Sequence, residues 1–115
     1  MNTMHTKNDF KPEASLFVHH VLFYLKDPHS DIDKNKLLEG LQLLTTISNI
    51  KFYNIGTPAN THRSVIEKDY TFSWLCFFDG ASEEAAYQIH PTHDLFRIQY
   101  EHLWEKVVVY DAITV

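Results

Sequence analysis

The sequence predicts one small α+β domain of the ferredoxin-like, split βαβ type: a four-stranded antiparallel sheet with both helices on one face. Three observations predict it. The chain has 115 residues, enough for one domain and too few for two with full cores. Its apolar patterning runs in the order strand, helix, strand, strand, helix, strand. The first, third and last strands are apolar on both alternating faces, whereas a sheet with one solvated side alternates apolar with polar.

Residues 1–14 are polar, aperiodic and contain Pro12, and read as a mobile tail ahead of a domain over 15–115. Residues 16–25 are aromatic and branched and stop at Asp27-Pro28, the pattern of a long strand. Phe17, His19, Val21, Phe23 and Leu25 form one face, with Leu16, Val18, His20, Leu22 and Tyr24 on the other. Asp31 is the expected cap of a helix whose stripe is Ile32, Leu37, Leu38, Leu41, Leu44 and Ile47, ending at Asn49. A second strand fits residues 50–55, halted at Gly56, and residues 57–68 follow as a loop. A third strand spans 70–78 and closes at Asp79-Gly80. Ser82 is the expected cap of the next helix, with Glu83 and Glu84 near the positive end of its dipole. That helix runs to about Ile89, because His90 precedes Pro91 and a residue before proline avoids the α region. Thr92 then starts a second segment with Leu95, Phe96, Ile98, Leu103 and Trp104 as its apolar positions. Residues 107–113 read as the closing strand.

The two-faced strands imply a homodimer through the open sheet face, since no spare segment of the chain supplies a second apolar layer. The net charge of -5 and ten scattered Lys and Arg leave no basic stripe, so a nucleic-acid partner is not expected. No stretch approaches the ~20 apolar residues of a membrane span, and the start lacks the apolar middle of a signal peptide. A cytoplasmic location is the expectation. The one cysteine, Cys76, excludes an internal disulfide and sits in an apolar run where it reads as a small buried hydrophobe.

The chemistry-bearing side chains concentrate in Tyr87-Gln88-Ile89-His90-Pro91-Thr92-His93. Tyr87 and His90 are three apart, hence neighbours on one helical face, and His93 lies just past the proline kink. A phenol beside an imidazole is a workable acid/base pair. The plainer reading is a helix stop in which the histidines bond free backbone groups. One of His19 and His20 must face the helices. A metal site from His90, His93 and His19 is a third option, but zinc wants three or four ligands and Cys76 is mid-strand, so no metal and no cofactor are expected. Gly56 before Pro58 makes a turn and no phosphate cradle; Arg63, His5, His29 and His102 read as surface residues.

The opening Phe17-Val18-His19-His20-Val21-Leu22-Phe23-Tyr24-Leu25-Lys26, the Tyr-x-x-His-Pro-x-His stretch followed by Phe96, and Leu103-Trp104-Glu105-Lys106-Val107-Val108-Val109-Tyr110-Asp111 resemble the stress-responsive A/B barrel domain family. The resemblance runs from about residue 16 to 113 and implies a dimeric α+β barrel. Most members have no assigned activity. A plant branch that includes olivetolic acid cyclase closes polyketide chains by an aldol reaction. There the motif's tyrosine and last histidine are the catalytic pair and a first-strand histidine lines the cavity. By resemblance those roles fall on Tyr87, His93 and His19, while a third-strand cavity histidine is replaced by Phe72. The wider superfamily includes haem-degrading enzymes, but no residue here points to haem. The first functional expectation is therefore a small apolar or aromatic ligand held in the sheet–helix cavity, with His19, His90, Phe72 and Phe96 as ligand-binding residues. The alternative is a cofactor-free cyclase or lyase using Tyr87 and His93.

Overall fold

The structure, a computed structural model, describes residues 15–115; the expected tail over 1–14 lies outside them. In chain order the elements are β1 (Phe17–Leu25), α1 (Asp31–Leu44), β2 (Phe52–Gly56), β3 (Phe72–Phe78), α2 (Ala81–Gln88), α3 (Pro91–Tyr100), a 3₁₀ turn (Glu101–Leu103) and β4 (Trp104–Ile113). The sheet order is β2-β3-β1-β4 and every neighbouring pair is antiparallel. This is the ferredoxin-like arrangement the patterning predicts, with the final helical region divided in two.

Register decides which side chains share a face. Val21 lies opposite Trp74 and Val109, and His19 opposite Cys76 and Asp111. Because side chains alternate along a strand, Val21, Phe23, Phe72, Trp74, Cys76 and Phe78 stand together under the helices, all buried. Helix α1 covers them with Leu37, Leu41 and Leu44, and α3 with Phe96 and Tyr100.

Several local expectations are corrected. Helix α1 is capped by Ser30, whose hydroxyl accepts from the Asp33 amide at 3.1 Å; Asp31 is the first helical residue. It ends at Leu44, not near Asn49, because the hydroxyls of Thr45 and Thr46 bond back to the carbonyls of Gln42 and Leu43. Ile47 stays buried on the turn that follows, which is how it continued the stripe. Helix α2 is capped by Gly80, not Ser82, and Gly80 has φ of 144°, a conformation that favours glycine. In α3, Leu95 and Ile98 are exposed and Phe96 and Tyr100 are buried, with Leu103 buried on the 3₁₀ turn that follows. Trp104 opens β4 and is no part of that helix.

The open sheet face is less evenly covered than the two-faced pattern implied. Val18, His20, Tyr24, Leu75 and Phe77 are half-buried, Leu22 is buried, and Phe52 and Tyr110 are exposed. Strand β4 is an edge, and its helix-side Val107 and Val109 stay 39% and 46% exposed because the helices sit over the inner strands. Among the described residues no helix is long and apolar enough to cross a membrane.

Candidate functional site

A cavity of about 300 Å³ lies between the sheet and α2–α3. Its apolar wall comes from Val21 and Phe23 on β1, Trp74 on β3, Phe96 on α3, and Trp104, Val107 and Val109 on β4. His19, Tyr87 and His93 supply the polar end, and Arg97 and Glu101 also line it.

Each polar side chain is placed by a different element. His19 is carried inward by the alternation of β1, while His20 turns to the open face and bonds Ser73 Oγ at 2.8 Å. His19 Nδ1 lies 2.7 Å from Asp111 Oδ1 on β4 and 3.8 Å from Glu84 Oε2 on α2. A carboxylate only accepts, so Nδ1 carries the hydrogen of the shorter bond. Tyr87 sits on the last turn of α2, wholly buried, with its ring 5.1 Å from Phe78 and 5.8 Å from His19. Its hydroxyl accepts a 3.0 Å hydrogen bond from Trp74 Nε1. Burial pushes the Tyr87 phenol well above its ordinary range, so it stays protonated at neutral pH.

His93 follows the kink. Pro91 occupies the first turn of α3, which starts the helix in a new direction and aims His93 back at Tyr87, ring centroids 4.9 Å apart. Its Nδ1 is buried and has no hydrogen-bond partner among the described residues. Burial, helped by the Arg97 charge, holds the imidazole below the usual histidine range and therefore neutral at pH 7. A neutral imidazole with an unpaired nitrogen, touching a protonated phenol, can exchange a proton with a bound molecule.

Two expected ligand-binding residues fall elsewhere. His90 lies beyond the end of α2 and shares no helical face with Tyr87; its Nδ1 accepts from the Thr92 amide at 3.0 Å, making it, not Thr92, the cap of α3. Phe72 is on the helix side of β3 but outside the cavity, in a separate depression with Pro28, His29 and Tyr70. Phe96 and His19 do line the cavity. The His90, His93, His19 metal set is not assembled. The residues that could hold a cation are His19, Glu84 and Asp111, with donor atoms within 4.8 Å of one another. Both carboxylates are already engaged, Asp111 by His19 and Glu84 by Gln88 Nε2 at 2.8 Å.

Sequence reasoning missed Trp74, Asp111 and Glu84 as site residues. The alternation of the third strand already put Trp74 on one face with Phe72 and Cys76. The pairing of Asp111 with His19 needs the β1–β4 register, which no local pattern carries.

The model of the stress responsive A/B barrel domain matches residues 17–114. The chain belongs to that family. No curated protein matches it. Among solved structures, a family member with a ferredoxin-like fold from Mesorhizobium loti is 20% identical, with TM-score 0.73 over 88% of this chain and 98% of that one. A dimeric ferredoxin-like protein of unknown function from Thermobifida fusca is 20% identical, with TM-score 0.70, over 89% and 93%. The hydroxynitrile lyase of Passiflora edulis is 18% identical, with TM-score 0.70, over 87% and 94%. At such identities the likeness concerns the fold.

Proposed function

We propose that this A/B barrel domain is a homodimer that binds a small apolar or aromatic molecule in its sheet–helix cavity. The observation that carries the reading is the cavity itself, large enough for a one-ring compound, apolar along its walls and polar at one end. Val18, Leu75 and Phe77 on the open face, with Phe52 and Tyr110 beside them, offer apolar surface for a second copy, packed sheet against sheet. The dimeric relative from Thermobifida fusca supports that assembly. An acidic chain with a single buried cysteine fits a cytoplasmic location.

The test is titration of the chain with acetophenone, followed by quenching of Trp74 and Trp104, on samples whose mass is read by light scattering. Saturable binding that Val109→Trp blocks by filling the mouth, on a species of twice the chain mass, is expected. No binding at millimolar ligand, or binding indifferent to Val109→Trp, would discard the cavity; a monomeric mass would discard the dimer.

One observation favours a second reading, a cofactor-free lyase or cyclase: His93 Nδ1 is unpaired and in ring contact with Tyr87. On a cyanohydrin, His93 would take the hydroxyl proton as the C–CN bond breaks, and Tyr87 would donate a hydrogen bond to the oxygen that becomes the aldehyde carbonyl. The cyanide would leave as HCN with the proton His93 returns. In a cyclase, His93 would take an acidic C–H proton and Tyr87 would donate to the enolate oxygen. The likeness to a hydroxynitrile lyase makes cyanohydrin cleavage the assay to run. Release of benzaldehyde from mandelonitrile should fall about 10²–10⁴-fold in His93→Ala. It should also weaken as acidification protonates His93, whose lowered pKa places that loss below neutral pH. A rate equal to buffer, or a rate unchanged in His93→Ala, would end this reading.

A further inference from the structure

The bond between Trp74 and Tyr87 is asymmetric. An indole N–H only donates, so in the 3.0 Å contact the tyrosine oxygen is the acceptor. Tyr87 therefore keeps its own O–H hydrogen, and among the described residues that hydrogen bonds to nothing. His93 Nδ1, the nearby candidate, is itself unpaired. Buried hydroxyls in folded proteins are normally satisfied, because an unpaired one costs its desolvation. The phenol ring has little freedom to turn away, since Phe78, His19 and His93 pack around it at 5.1, 5.8 and 4.9 Å. Both Trp74 and Tyr87 form part of the cavity wall. The unmet donor thus belongs to a residue of the cavity lining.

We propose that Trp74 is a positioning residue that fixes the Tyr87 hydroxyl as a hydrogen-bond donor, so that the cavity selects small aromatic ligands carrying a carbonyl-type acceptor oxygen over hydrocarbon isosteres. This rests on the cavity-binding reading above and adds the ligand's polar group to it. Without the indole N–H, the tyrosine oxygen would be free to accept as well as donate, and the preference for an acceptor would relax. A phenol keeps its proton at neutral pH, and burial moves its loss to still higher pH, so the donor stays available.

The experiment uses two ligands of one shape: acetophenone, and α-methylstyrene, in which a CH₂ group replaces the carbonyl oxygen. Both are titrated into the full chain, its Trp74→Phe variant and its Tyr87→Phe variant. Tyr87→Phe should weaken acetophenone by up to about tenfold, the value of one hydrogen bond, and leave α-methylstyrene unchanged. Trp74→Phe removes wall contact from both ligands, and should weaken acetophenone about threefold or more beyond whatever it costs the alkene. Equal weakening of both ligands by Trp74→Phe would mean that the indole is only a wall, and would overturn the proposal. The unmutated protein supplies an independent check through carbonyl-¹³C acetophenone. A donated hydrogen bond moves the bound carbonyl resonance downfield of its position in hydrocarbon solvent, and absence of that shift would also overturn the proposal. If the unmutated protein binds neither ligand, the cavity reading falls and this one with it. If it binds both with no ketone-specific loss in the variants, only this one falls.

Discussion

Phe78→Ala is expected to cost about 3–5 kcal/mol, the range for removing a fully buried phenylalanine. Phe78 ends β3 with no solvent exposure, and its ring meets those of Phe17, His19 and Tyr87 edge-on or tilted. Deleting it forfeits the transfer energy of the ring and leaves a void that antiparallel strands cannot close without losing register. For a domain of this length the melting temperature should fall by on the order of 15 °C or more. The comparison must be made at fixed protein concentration, because dimerisation would add to the apparent stability. Phe78→Leu, closer in volume, should recover most of the loss. The functional consequence is separable from the stability one. Two of the three rings around Phe78 belong to the polar end of the cavity, so a folded Phe78→Ala population should bind acetophenone more weakly than Phe78→Leu. A loss under about 1 kcal/mol would mean that this ring is not part of a close-packed core.

Gly40→Ala should also destabilise, and here two effects oppose. In a helix interior alanine is favoured over glycine by about 1 kcal/mol. Yet Gly40 faces the ring of Tyr100, and an added Cβ would lie 2.7 Å from Cδ2, 2.8 Å from Cγ and 3.0 Å from Cε2. Something must move. Tyr100 cannot easily do so: it is 4% exposed, packs on Phe96, and its hydroxyl donates to Glu39 at 2.6 Å. Overpacking of this kind costs about 1–3 kcal/mol, against the gain of about 1 kcal/mol in propensity, so the net is a loss of up to about 2 kcal/mol. Pairing Gly40→Ala with Tyr100→Leu, which shortens the facing side chain, should make the alanine neutral or favourable in a double-mutant cycle. A more stable Gly40→Ala single variant would show that propensity wins. The contact matters to function because it seats α3 against α1, and α3 carries both His93 and Phe96.

The site is a composite. Its polar groups come from β1, α2, α3, the 3₁₀ turn and β4, and the cavity lies where α2 gives way to α3 over the sheet. The His-Pro step makes that break: His90 caps α3 with its own side chain while Pro91 supplies a first-turn residue with no amide to satisfy. The helix-stop reading of the motif therefore holds at His90. His90 serves the backbone, and His93 Nδ1 is left without a partner among the described residues.

What the sequence by itself determined follows from short-range periodicity. Alternation in residues 16–25 and 70–78 and the spacing of Leu37, Leu41 and Leu44 specified the strands, the long helix and which residues go inside. They also put Tyr87 and His93 on either side of a proline break, because backbone geometry fixes where side chains on one element point. Capping was less legible: the expected Asp31, Ser82 and Thr92 each gave way to a residue one or two places earlier, Ser30, Gly80 and His90. Only the tertiary structure decided the rest. Strand register brought Asp111 to His19, helix packing brought Glu84 beside them, and the facing of β3 and α2 brought Trp74 to Tyr87 across 13 positions of chain. It also excluded Phe72 from the cavity although Phe72 shares a face with Trp74, since position along the strand, as well as side, sets what a residue can reach. Local patterns state which way a side chain points; what it meets there depends on elements distant in sequence, whose offsets are set by packing.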